Sequence, residues 1–143
     1  IALSDTFTTD LFFRFFDTKF AKLFDGVRHD SGDPLVFATK AIEHYKKLGI
    51  GPTTKTIVFS DALTPEKVAE IKDFCSGKIR ISFGIGTNFT NDVGVTPLNI
   101  VIKLSAAKPE GQDWIQTIKL SDVDGKHTGD QKMIDLCKQI IAM

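Results

Sequence analysis

One pattern constrains this chain more than any other: short apolar runs, each ended by polar residues and each followed by a segment with helical periodicity. Ile1 to Leu3 is apolar and is stopped by Ser4 and Asp5. Thr8 or Thr9 then supplies a helix cap, with Asp10 in the first turn. Leu11, Phe12, Phe15, Phe16, Phe20, Leu23 and Phe24 recur at spacings of three and four, which predicts an amphipathic helix broken near Asp17. Gly26 to Asp30 is the second short strand, and Asp33 with Pro34 forms an N-cap followed by proline at the first helical position. Ala38, Ala41, Ile42, Tyr45 and Leu48 mark the buried face of the helix that Gly49 closes. Thr56 to Phe59 is the third strand, ended by Ser60 and Asp61. Thr64, Pro65 and Glu66 open a helix with Val68, Ile71, Phe74 and Cys75 inside. Ile79 to Phe83 is the fourth strand and runs into Gly84 to Asn88. Strand and helix in strict alternation predict an α/β fold with a parallel sheet.

The remainder breaks the alternation. Leu98, Ile100, Ile102 and Leu104 alternate with Asn99, Val101 and Lys103, a polar turn contains Pro109 and Gly111, and a second run extends from Trp114 to Leu120. These features predict a β-hairpin. A final helix from about Asp130 to Ile141 carries Met133, Ile134, Leu136, Cys137 and Ile140 on one side.

Composition narrows the function classes. With 143 residues, 42% hydrophobic and 25% charged, the chain is long enough to bury a core without staples. Eighteen basic and 18 acidic residues cancel, so no net field recruits nucleic acid or an anionic membrane, and any phosphate site must be local. Cys75 and Cys137 form no CxxC pair and are expected to be buried small hydrophobes of a reduced, cytoplasmic protein. No apolar run approaches the roughly 20 residues of a membrane span. The seven Phe before residue 25 are expected to pack in the core. A chain that starts at Ile1, inside an apolar stretch, reads as a piece of a longer one.

In parallel α/β folds ligands bind beyond the carboxyl ends of the strands. The residues there are Ser4 and Asp5, Arg28 to Asp33, Ser60 and Asp61, and Gly84 to Asn88. Gly84, Gly86, Thr87 and Asn88 suit a phosphate through backbone N–H groups and a hydroxyl, although the run is neither a full GxGxxG nor a Walker A loop. Asp30, Asp33 and Asp61 suit a ribose diol or a metal-bound phosphate ester. Arg28 can pair an anion and stack on a flat ring. Of the histidines, His44 and His127 read as surface and loop residues, and no partner of defined spacing marks His29 as a base.

Five runs, IALSDTFTTD (1–10), DGVRHDSGDP (25–34), FSD (59–61), SFGIGTNFTND (82–92) and PLNIVIKL (97–104), resemble nicotinate phosphoribosyltransferases, and the resemblance extends from residue 1 to about 125. It implies part of an irregular, TIM-like α/β barrel over 1–96 that carries the phosphoribosyl rim, with a hairpin and C-terminal helix over 97–143 packing on the same domain. It further implies an enzyme making nicotinate mononucleotide and pyrophosphate from nicotinate and phosphoribosyl pyrophosphate, with ATP and Mg²⁺ as co-substrate and metal and nothing tightly bound. By the same resemblance Arg28 lies against the pyridine ring and ribose, Asp30 and Asp61 hold ribose hydroxyls, and Gly86 with Thr87 holds the 5'-phosphate. Ser31, Gly32, Asp33 and Ser60 complete the substrate-binding set. The family's phosphorylated catalytic histidine is expected upstream of Ile1, so this segment alone is expected to be inactive and to self-associate. The rival reading is a non-catalytic phosphosugar- or nucleotide-binding α/β module.

Overall fold

The computed structural model describes residues 1–98, 100–123 and 125–142. Its centre is a four-stranded parallel sheet in the order β1 (Ala2–Leu3), β2 (Gly26–His29), β3 (Thr56–Phe59), β4 (Arg80–Phe83). Helices α1 (Thr9–Phe15) and α2 (Thr18–Leu23) join β1 to β2, α3 (Pro34–Lys47) joins β2 to β3, and α4 (Pro65–Cys75) joins β3 to β4. This is part of an α/β barrel, as the alternation predicts. A four-residue α5 (Thr87–Thr90) follows β4, then the antiparallel pair β5 (Ala106–Ala107) and β6 (Ile115–Gln116), then α6 (Gln131–Ala142).

Local chemistry sets the helix boundaries. Thr8 caps α1, its hydroxyl accepting from the Leu11 N–H. The predicted break falls at Asp17, whose carboxylate accepts from the Lys19 and Phe20 amides and so starts α2 in a new direction. Asp33 and Thr64 cap α3 and α4 in the same way, each followed by proline. Val27, Ile57 and Phe59 from the sheet pack with Phe37, Ala38, Ala41 and Tyr45 of α3 and with Ile71 and Cys75 of α4. Residues along β3 alternate half-buried and buried, and those along β4 alternate exposed and half-buried, so one face of the sheet is packed more closely than the other.

Several expectations change. The alternating run Leu98 to Leu104 forms no strand among its described residues, and Leu98 and Ile102 are 85% and 93% exposed. Asn99 lies outside the described residues, as does Asp124. The strands instead occupy two residues on each side of the Pro109–Gly111 turn, since alternation makes a strand only where a partner edge and a face to bury are available. On α6 only Ile134 is buried, while Met133, Leu136 and Ile140 face outward. Cys137 is half-buried rather than buried. The early phenylalanines also divide: Phe16 is buried and Phe12, Phe13 and Phe24 pack against the core, whereas Phe7, Phe15 and Phe20 are exposed.

Candidate functional site

Because all four strands run parallel and in register, their carboxyl ends lie along one edge of the sheet. Each end is fastened to its neighbour. The Ser4 N–H and hydroxyl both donate to the Arg28 carbonyl (3.3 and 2.9 Å), the Ser60 N–H donates to the His29 carbonyl (3.0 Å), and the Gly84 N–H donates to the Phe59 carbonyl (2.8 Å). The Ser60 hydroxyl reaches both the His29 carbonyl at 3.0 Å and Asp30 Oδ1 at 2.8 Å, with one proton to serve them. The strand ends named from sequence are thus brought to one rim.

The rim carries a row of alternating charges. Arg28 Nη2 is 3.3 Å from Asp30 Oδ2, Lys119 Nζ is 3.7 Å from the same oxygen, and Lys119 Nζ is 2.9 Å from Asp5 Oδ2. Asp5 is 1% exposed and also accepts from the Ser31 hydroxyl at 3.0 Å. Burying a carboxylate this deeply is costly unless it is paired and hydrogen-bonded, and Lys119 and Ser31 supply both contacts. Farther along, Lys126 Nζ pairs with Asp61 at 2.9 Å. Lys119, Asp122 and Lys126 come from the segment after β6, which the sequence reading assigned no part in the site. A signal was present: the chain contains three Ser-Asp dipeptides, Ser4-Asp5, Ser60-Asp61 and Ser121-Asp122, each after an apolar residue, and all three meet at this rim.

Unmet polar capacity collects here too. Among the described residues five buried side-chain atoms have no protein hydrogen-bond partner, and four of them, Asp5 Oδ1, Arg28 Nε, His29 Nδ1 and Ser121 Oγ, belong to this region. Buried polar atoms are normally satisfied, so such a concentration is what a polar ligand would complete. Among the described residues the two non-glycine positions with left-handed backbone, Ala62 (φ 46°) and Ser121 (φ 64°), directly follow Asp61 and precede Asp122. Strain of that kind gathers at functional positions.

Other members of the predicted set have structural duties. Asp33 Oδ1 accepts from the Leu35 and Val36 amides as the cap of α3. Gly32 has φ 85°, a conformation that favours glycine. The Gly84 amide is engaged, and a Cβ there would sit 3.3 Å from that of Ser60. The Asn88 side-chain amide donates to the Leu63 carbonyl. Gly86 and Thr87 start α5, and a Cβ on Gly86 would enter open space.

His29 is 1% exposed, its ring packed on Phe37 and Phe59 and its Nε2 3.1 Å from the Gly32 carbonyl. Burial holds its imidazole below the ordinary value, against the weaker upward pull of the Gly32 carbonyl and of Asp61, Asp30 and Asp5. His44, expected on the surface, is half-buried: Nε2 lies 2.6 Å from the Phe16 carbonyl and the ring packs on Phe13. An uncapped carbonyl at the end of α1 draws it inward. An apolar cleft of about 390 Å³ between β1 and the α1–α2 phenylalanines is separate from the charged row. No group of three His, Cys, Asp or Glu side chains among the described residues is placed to hold a metal, and Asp5 and Asp30 already face Lys119 and Arg28. These residues by themselves do not fit a Mg²⁺ site. No helix among the described residues is long and apolar enough to cross a membrane.

Comparison with known proteins identifies the fold and the family. The model of the nicotinate phosphoribosyltransferase (NAPRTase) family matches residues 1–141. A nicotinate phosphoribosyltransferase of Chromohalobacter salexigens is 66% identical over all of this chain and 37% of its own length, and one of Desulforapulum autotrophicum is 59% identical over 99% and 36%. The crystal structure of nicotinate phosphoribosyltransferase from Porphyromonas gingivalis superposes with a TM-score of 0.94 at 52% identity, over 99% of this chain and 37% of that one. The chain therefore spans little more than a third of the length of these relatives, and over that span it belongs to the nicotinate phosphoribosyltransferase family.

Proposed function

We propose that this chain supplies the phosphoribosyl- and ring-binding rim of a cytoplasmic enzyme that joins nicotinate to phosphoribosyl pyrophosphate, releasing pyrophosphate and forming nicotinate mononucleotide with ATP hydrolysis. In that reaction the bond between ribose C1 and the pyrophosphate oxygen breaks, the electron pair leaving with pyrophosphate. The pyridine nitrogen lone pair forms the new bond to C1. Positive charge builds on the sugar in between, and fixed carboxylates stabilise it without reorganising. Asp30 and Asp61 take the ribose hydroxyls, Arg28 lies against the ring and its carboxylate, and Gly86 with Thr87 takes the 5'-phosphate. Ser31, Ser60, Gly32 and Asp33 shape the loops that present them. Residues 1–96 carry the strand ends of this rim, while 97–143 pack on it and add Lys119 and Lys126 to its charges. The catalytic histidine belongs to another part of the enzyme, in keeping with an inaccessible His29.

The observation that carries this reading is the Arg28–Asp30–Lys119–Asp5 charge row across parallel strand ends, with unpartnered polar atoms beside it. Arg28→Ala in the whole protein should lower nicotinate turnover by more than about tenfold with the fold intact, since the Arg28 side chain, 43% exposed near the end of β2, lies outside the buried core. Formation of nicotinate mononucleotide followed by mass spectrometry, with melting as the control, decides it. Unchanged kinetics removes Arg28 from the site. Binding of phosphoribosyl pyrophosphate with no turnover in the wild-type whole protein favours the non-catalytic module.

A further inference from the structure

The segment Lys119–Asp122 touches five residues at the sheet edge, Asp5, Thr6, Thr9, Asp30 and Ser31, and Asp122 makes the contacts to Thr9 and Ser31. Its Oδ1 accepts from the Thr9 N–H at 2.7 Å and its Oδ2 from the Thr9 hydroxyl at 2.5 Å. Its own N–H donates to the Ser31 hydroxyl at 3.4 Å, and that hydroxyl donates to Asp5 Oδ2 at 3.0 Å. Beside it the Leu120 N–H donates to the Thr6 carbonyl at 2.8 Å, and Lys119 reaches Asp5 and Asp30. Thr9 opens the helix after β1, whereas Ser31 stands in the loop after β2, so one carboxylate and its amide tie two loops that are separate in sequence. The left-handed Ser121 turns the backbone so that Lys119 and Asp122 both face those loops. The same residues, Thr9, Ser31, Gly32, Asp33 and Asp122, line a cleft of about 250 Å³.

We propose that Asp122 is a positioning residue of the phosphoribosyl site: it clasps the loops after β1 and β2 together and thereby fixes the loop that carries Asp30, Ser31 and Gly32. This rests on the function proposed above. A carboxylate that must meet a ribose diol loses its value when its loop shifts by a fraction of a bond length, so the effect falls on sugar binding more than on folding. In the whole protein Asp122→Asn, which replaces two charge-assisted hydrogen bonds to Thr9 by weaker neutral ones, the hydroxyl turning to accept from the new N–H₂ group, should raise KM for phosphoribosyl pyrophosphate about tenfold and change kcat less than about threefold. Asp122→Glu should recover most of that loss. KM for nicotinate should stay within about twofold of wild type in both. A wild-type KM in Asp122→Asn, or a lowered melting temperature with wild-type KM in the folded fraction, overturns the proposal and leaves Asp122 as a helix cap. Thr9→Val removes one strand of the clasp under milder conditions: if Asp122→Asn fails to fold, a raised KM in Thr9→Val supports the clasp and an unchanged one overturns it. Calorimetric binding of ribose 5-phosphate separates the two readings. Wild-type binding without nicotinate turnover fails the proposed reaction but still tests the clasp through the Asp122→Asn arm, and no wild-type binding at all overturns both.

Discussion

His29 shows how one residue type in one loop carries two incompatible readings until packing decides. Placed between Arg28 and Asp30 on a strand end, it has the address of a catalytic base; sealed between Phe37 and Phe59, it is a core residue. Its lowered pKa has a consequence for stability. The unfolded chain binds a proton as pH falls below about 6.5, and the folded chain resists it. The stabilisation is complete above that pH and is lost as pH falls toward the folded-state value, at up to about 1.4 kcal/mol per pH unit. Denaturant midpoints at pH 7.5 and 5.5 should therefore fall further for wild type than for His29→Gln, and equal falls would show that His29 does not titrate on unfolding. Asp30 and Asp61 were legible as rim residues because polar side chains directly after a strand have few other duties, whereas Arg28, expected there too, is the third residue of β2 with its guanidinium against Asp30. Lys119 and Lys126, which stand against these carboxylates, were not, since lysine is common on any surface and only the return of the chain to the rim gives these two a partner.

The register of the central pair, β2 on β3, depends on a glycine. Gly26 lies opposite Thr56, and a Cβ on it would fall 1.8 Å from the Thr56 carbonyl oxygen, where no side-chain rotation brings relief. Gly26→Ala should destabilise the protein by about 3 kcal/mol, at the upper end for overpacking, because backbone rather than a flexible side chain must yield. Thermal or urea unfolding measures this, and a variant within about 0.5 kcal/mol of wild type would mean that β2 and β3 do not approach so closely. The elements of the alternating region were readable from sequence because caps, prolines and stripes agreed at each: Asp17, Asp33 and Thr64 all start helices through their own side chains. The run Leu98 to Leu104 had only its alternation, with no cap, turn or partner to corroborate it. Period two describes a strand that has an edge to join, and the described part of this run joins none.

A sheet ordered β1-β2-β3-β4 leaves the outer sides of β1 and β4 without a strand partner among the described residues. Beyond β1 lies the apolar cleft walled by Leu3, Leu11, Phe12, Phe15 and Phe20, and elsewhere Leu98, Ile100, Ile102 and Leu104 are exposed together with one side of α6. Bare apolar surface costs stability, since each 100 Å² left exposed withholds about 2.5 kcal/mol, at about 25 cal/mol per Å², from a total of roughly 5–15 kcal/mol. Two copies of the 143-residue polypeptide can recover part of this by covering one another's clefts, with main-chain pairing along β1 as a second source of attraction. This polypeptide, prepared by itself, should therefore self-associate, its apparent mass rising with concentration in light scattering. Phe15→Lys, which places a charge at the cleft mouth without touching the buried core, should lower that mass. A stable monomer at high concentration, with Phe15→Lys indistinguishable from it, would mean that the open edge and the cleft are tolerated in water as they stand.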